Sequence, residues 1–188
     1  SNTVTYPHID CYTVIANSPQ NMGYLVEAYK PGDPSTPVKV SIYASMAAKE
    51  SFDVANVLPI EALGNEYYVV SRTGNASSYW PSEALIVATE STTVIQITPT
   101  CYIQDQPSSD LLGTFEITLE KGQTYLLRAQ SASNSDIGKN DLSGTLIKVK
   151  DDGGANKCKK IAVFAGTQHG SGENTSGKNP DYEYEQLF

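Results

Sequence analysis

Apolar residues recur at every second position along most of this chain, and a period of two is the mark of extended strands, whose successive side chains leave opposite faces of a sheet. Val38, Val40 and Ile42 alternate with Lys39 and Ser41, and Phe52 and Val54 with Ser51 and Asp53. Phe115, Ile117 and Leu119 alternate with Thr114, Glu116 and Thr118. The segment Glu120-Lys121-Gly122-Gln123 then leads into Thr124-Tyr125-Leu126-Leu127-Arg128. Gly122 supplies the positive φ of a tight turn, so residues 113–130 read as a hairpin. Further strands are predicted at 22–29, 65–71, 83–89, 92–98, 145–150 and 160–165. Only 45–51 and 59–63 read as short helical turns. Turn-forming clusters such as Pro31-Gly32-Asp33-Pro34 and Asp151-Asp152-Gly153-Gly154 separate the strands. The fold class is therefore all-β, a β-sandwich of mostly antiparallel strands.

Two segments break the alternation. Residues 85–89 and 161–165 are continuously apolar, as expected of strands covered on both faces, and this places them centrally. A faint echo between 38–54 and 94–119 admits two stacked lobes, about 1–90 and 91–188, within one all-β module. A chain of 188 residues is long enough to bury a sizeable core of its own.

Composition narrows the partners. A formal net charge of -8 repels nucleic acid and anionic lipid, so neither is expected. No apolar run approaches the roughly 20 residues that span a bilayer as a helix. Twelve tyrosines against four phenylalanines and one tryptophan suit half-wet positions on thin sheets and binding surfaces. Cys11, Cys101 and Cys158 are widely spaced with no CxxC, which argues against zinc. One disulfide between two of them and three free thiols both fit the sequence. Asn75-Ala76-Ser77 and Asn174-Thr175-Ser176 match the glycosylation acceptor pattern.

Five segments, in order, carry a resemblance to a known family. They are Tyr79-Trp80-Pro81-Ser82-Glu83 with 84–89, then 92–99, then 113–125 with Gly122-Gln123 central, then Asp141-Leu142-Ser143-Gly144-Thr145, and finally 158–166. The closing Tyr182-Glu183-Tyr184-Glu185-Gln186-Leu187-Phe188 extends the match. In this order and spacing the chain resembles the IgG Fc-binding protein N-terminal domain family. The form with Gly153-Gly154-Ala155-Asn156-Lys157-Cys158 before the last long strand is similar to copies in bacterial surface proteins exported by the type IX route. The resemblance implies an extracellular or cell-surface location and a non-catalytic adhesion or recognition role. It also implies a partner that is a protein or a glycan, on a surface or in mucus. Because the chain stops within the family's closing pattern, it reads as a fragment of a longer surface protein.

Motifs that could carry chemistry fail on specific residues. Gly172-Glu173-Asn174-Thr175-Ser176-Gly177-Lys178 imitates a phosphate-binding loop, but Asn179 stands where a Ser or Thr should meet magnesium, and Pro180 blocks the following helix. His169 lacks a strand–turn–helix elbow around a serine, so no nucleophilic triad is expected, and His8 beside Asp10 and Cys11 reads as a chance cluster. Asp151-Asp152, Asp181, Glu183 and Glu185 read as solvated charge, with structural calcium as the cation they would suit. No catalytic residue and no other metal or cofactor is expected. The candidate ligand-binding residues are Tyr79 and Trp80, on a loop or strand entrance, and Gln168 and His169, at a strand end. The loops 72–82, 131–140 and 167–180 are expected to present them. The alternative reading is a carbohydrate-binding module that stacks such loop aromatics on sugar rings. Alternation also turns one ring of Tyr67-Tyr68 inward and the other outward.

Overall fold

A computed structural model describes residues 16–48, 51–71, 81–105, 113–130, 141–170 and 181–188. Within them the chain is all-β. Its strands are β1 (Pro19–Gln20), β2 (Tyr29–Lys30), β3 (Asp33–Pro37), β4 (Ile42–Ala48), β5 (Ser51–Val57), β6 (Glu66–Tyr68), β7 (Ser82–Ala88), β8 (Thr93–Thr98), β9 (Phe115–Leu119), β10 (Thr124–Arg128), β11 (Leu146–Val149), β12 (Ile161–Gly170) and β13 (Asp181–Gln186).

Two sheets form a sandwich. The first has the order β1-β10-β7-β12-β13 and the second β6-β11-β8-β9, antiparallel throughout. Ala84, Ile86, Ala88, Tyr125, Leu127, Ile161, Val163 and Ala165 line the inner face of the first sheet. They meet Tyr67, Ile95, Ile97, Leu119, Ile147 and Val149 of the second. Burying each of the larger aliphatic side chains contributes about 1.5–3 kcal/mol. The continuous strands β7 and β12 are neighbours in the interior of the five-stranded sheet, as their composition predicts. Tyr67 is buried and Tyr68 exposed, the split that alternation requires. The lobe boundary near residue 90 falls between β7 and β8, and each sheet draws strands from both sides of it.

Three local expectations are corrected. Residues 113–130 hold the Gly122 turn, with φ of 79°, but β9 and β10 do not pair with each other. They belong to opposite sheets, and Gly122 donates instead to the Ala88 carbonyl oxygen at 2.9 Å. The physical reason lies in β10: Thr124, Tyr125, Leu126 and Leu127 are all buried. A hairpin with the half-exposed β9 would leave one of those faces wet. Within the predicted helical turn 45–51, the described residues 45–48 and 51 lie in the β4–β5 ribbon, where cross-strand pairing overrides the helix preference of Met46-Ala47-Ala48. Of the strand predicted at 22–29, only Tyr29 is in a strand; residues 22–28 run without a ladder. Residues Ile60–Ala62 do form a short 3-10 turn within 59–63.

Candidate functional site

The strand register gathers four long connections at one end of the sandwich. The chain leaves β6 after Tyr68 and enters β7 at Ser82, leaves β8 after Thr98 and enters β9 at Phe115, leaves β10 after Arg128 and enters β11 at Leu146, and leaves β12 after Gly170 and enters β13 at Asp181. Pairings Leu146↔Tyr68, Leu146↔Thr98, Ile97↔Phe115, Arg128↔Glu83, Thr167↔Ser82 and Gly170↔Asp181 put all eight strand ends together. The opposite end carries short turns at 89–92 and 120–123. The described residues that flank 72–80, 131–140 and 171–180 thus stand at the same end.

Hydrogen bonds between the two sheets fix this end. The Ser71 hydroxyl donates to the Gly166 carbonyl oxygen at 2.8 Å, and the Ser143 hydroxyl to the Ser71 carbonyl oxygen at 2.6 Å. The Leu142 amide donates to the buried Ser82 hydroxyl at 2.7 Å. The first and third link strand ends of different sheets, and the second ties two ends of the four-stranded sheet together, so the rim is held as one frame.

Just beneath the rim, on the outer face of the first sheet, lies a buried charge. The register sets Arg128, Glu83, Gly166 and Tyr184 in one row across four strands. The Glu83 carboxylate is only 2 % exposed; it accepts from Arg128 Nε on one side and from the Tyr184 hydroxyl on the other. Gly166 stands between Glu83 and Tyr184 in the row, and the space its side chain would take is filled by the main chain of β13. A methyl group at Gly166 would overlap the Glu183 carbonyl oxygen. A buried carboxylate is costly without partners, and here a guanidinium and a hydroxyl satisfy it. Asp53 of β5 accepts from the Tyr184 amide at 2.5 Å, and Gln186 Oε1 accepts from the Leu58 amide at 2.7 Å.

Of the residues the sequence singles out, Gln168 and His169 lie not in a loop but within β12, which runs on to Gly170. They fall in a bulge: Thr167 pairs with Glu183 and Gly170 with Asp181, so two residues of β12 oppose Tyr182 alone. Bulges of this kind sit at sheet edges and beside sites, where they re-aim side chains. Tyr79 and Trp80 lie outside the described residues, as do His8, Cys11, the imitation phosphate loop at 172–178 and both glycosylation triplets. The chain carrying the two aromatics leaves Ser71 and re-enters at Pro81, both at the rim. Asp151 and Asp152 accept from the amides of Gly153 and Gly154 at 2.9 and 2.8 Å, closing their own turn. Among the described residues no group of three or more His, Cys, Asp or Glu is placed to hold a metal. Cys101 and Cys158 are free thiols, the first buried and the second exposed. Burial, with a smaller effect from the charge of Asp141, pushes the Cys101 thiol up to about 12.

Glu83, Arg128 and Tyr184 are the residues that sequence reasoning missed. One signal was available, a glutamate at the head of an otherwise apolar strand.

A family model described as IgGFc binding protein matches residues 53–188, well over half of the chain. The chain belongs to the IgGFc-binding protein family. The match opens inside β5 and takes in every strand of both sheets but the two-residue β1, so the rim and the Glu83 row are family territory, whereas β1–β4 precede it. No curated protein and no solved structure matches the chain. No helix among the described residues is long and apolar enough to cross a membrane. The IgGFc-binding family is described by what it binds and not by a reaction.

Proposed function

We propose that this IgGFc-binding family module is a non-catalytic extracellular recognition domain of the adhesion type, secreted or displayed on a cell surface. It meets a partner at the rim where the long connections converge. The observation that carries this reading is the contrast between the two ends: one carries the short turns 89–92 and 120–123 and the 150–160 connection closed by its own hydrogen bonds, the other strand ends cross-bonded between sheets with a bulge at Gln168-His169. Binding residues concentrate on connections held by a rigid frame. The buried Glu83–Arg128–Tyr184 row gives that frame a fixed floor and spends its carboxylate on structure rather than on proton transfer. The partner is a protein or a glycan at a surface or in mucus, and the family description makes immunoglobulin Fc one protein to try.

The test is retention of the chain on three surfaces: immobilised IgG Fc, mucin, and mucin stripped of its glycans. Retention on at least one is expected, with a loss of about tenfold or more on Trp80→Ala or His169→Ala, the size of a central contact. An Asp151→Ala control at the opposite end should bind normally. Retention that vanishes with the glycans selects the carbohydrate-binding alternative. Failure on all three surfaces, or equal loss in the control, sinks the rim reading.

A further inference from the structure

Residues 24–41 are an arm that makes no hydrogen bond or strand pairing to the rest of the chain among the described residues. At its start the Gly23 amide is tied to the Gly122 carbonyl oxygen at 2.8 Å, beside β10. At its end β4 begins, and its partner β5 lies along β13, on the other side of the five-stranded sheet. Between these anchors its hydrogen bonds, among the described residues, are to itself. β2 and β3 form a two-stranded ribbon, the Val38 amide donates to the Ala28 carbonyl oxygen at 2.9 Å, and Asp33 accepts from Ser35 and Thr36. Tyr24, Leu25, Val26, Tyr29, Val38 and Val40 are each between 42 % and 64 % exposed. An isolated two-stranded ribbon is marginal in water, and six exposed apolar side chains close in sequence mark a contact surface.

The same chain carries an open acceptor. β6 is the edge of the four-stranded sheet. Asn65 and Val69 exchange main-chain hydrogen bonds with β11 and its approach, so the amides and carbonyls of Glu66, Tyr68 and Val70 point away from β11. No hydrogen bond from another element reaches those groups among the described residues. Beside this edge Tyr68 is 60 % and Val70 72 % exposed.

Charge decides what fits both. Two copies at net charge -8 repel on average. The arm, however, is balanced, Glu27 and Asp33 against Lys30 and Lys39, and at the β6 edge Glu66 is matched by Lys148 at 3.2 Å. Arm and edge are thus each locally neutral on an acidic molecule. We propose that the 24–41 arm of one copy lies along the β6 edge of a second copy. It adds main-chain hydrogen bonds to the four-stranded sheet and covers Tyr68 and Val70 with its apolar side chains. Arm and edge are different surfaces, so the contact is head-to-tail and repeats into an open row of modules. A surface-borne recognition domain would thereby present its rims in series.

Sedimentation velocity over a concentration series is expected to show dimers, trimers and longer species growing with concentration. An arm variant, Leu25→Lys with Val38→Lys and Val40→Lys, and an edge variant, Tyr68→Lys with Val70→Lys, should each run as a monomer. Mixed in equal amounts they should form a heterodimer and nothing longer, because one intact arm then meets one intact edge. Hydrogen exchange on the unmodified chain needs no variant: the amides of Glu66, Tyr68 and Val70 should slow by about tenfold or more as concentration rises. A chain that stays monomeric, variants that still assemble, a mixture without heterodimer, or edge amides indifferent to concentration would each overturn the proposal.

Discussion

The Tyr184 hydroxyl donates to the Glu83 carboxylate past Gly166, which stands between them in the register, and this contact binds the last strand of the first sheet to its centre. Because Arg128 holds the other carboxylate oxygen, β10, β7 and β13 are joined through a single buried side chain.

Removing that side chain strands its partners. Glu83→Ala should destabilise the fold by about 2–3 kcal/mol, below the range for a fully buried pair because Arg128 keeps some solvent contact. Tyr184→Phe, which loses one hydrogen bond, should cost about 1–2 kcal/mol. Urea unfolding with an unchanged slope is the measurement; a Glu83→Ala variant as stable as its parent would contradict the assigned role.

Gly166→Ala inserts a methyl group into the backbone of β13. The expected cost is about 3 kcal/mol, at the upper end of overpacking, because the obstacle is main chain and cannot rotate away. Hydrogen exchange should locate the damage in the amides of β13 and leave β8 and β11 protected. Uniform loss of protection would show that β13 is not a separable edge.

Asn156 acts as a stretch of backbone. Its amide nitrogen donates to the carbonyl oxygens of Val94 and Lys150 at 3.0 and 2.7 Å, and its oxygen accepts from the Val94 amide at 3.0 Å. Asn156→Ala leaves the Val94 amide and the Lys150 carbonyl unpaired, while the Val94 carbonyl keeps the Lys150 amide, and should cost about 2–4 kcal/mol; Asn156→Asp, which removes both donors, should be no milder. Thermal unfolding of the two variants checks this, and a neutral alanine substitution would count against it.

Cys101 and Tyr125 titrate late. Burial pushes both to about 12, from ordinary values of 9.0 and 10.0. The native state keeps its proton where the unfolded chain has lost it, so this contribution to stability is complete below about pH 9 and is lost as pH rises toward 12. Cys101→Ala with Tyr125→Phe should flatten the alkaline fall in stability. At pH 8 a thiol reagent should modify Cys158 in the folded protein and reach Cys101 only on unfolding. Fast labelling of native Cys101 would refute its burial.

How much of this was legible in the residues varies with the range of the interaction. Period-two alternation located β5 and β9 and even the inward and outward rings of Tyr67 and Tyr68, and continuous apolar runs located β7 and β12, because each residue's face follows from its neighbours. The turn at Gly122 was legible as well, but not what it joins. A glycine with positive φ permits a hairpin and an arch alike, and the choice fell to whether β10 could bury both faces. The burial of Glu83 was hidden for the same reason: its partners come from 45 residues later, at Arg128, and 101 later, at Tyr184.

The sequence by itself determined that the chain is all-β, which of its strands are two-sided, its family, and that its imitation motifs lack the residues for catalysis. Those properties depend on side-chain periodicity and on the identity of single residues, both local. Only the tertiary structure decided which strands pair, that four long connections share one end, that Gln168 and His169 sit in a bulge and not a loop, and that residues 24–41 stand away from the core. Pairing depends on which faces can be buried at once, and that is a property of the whole sandwich.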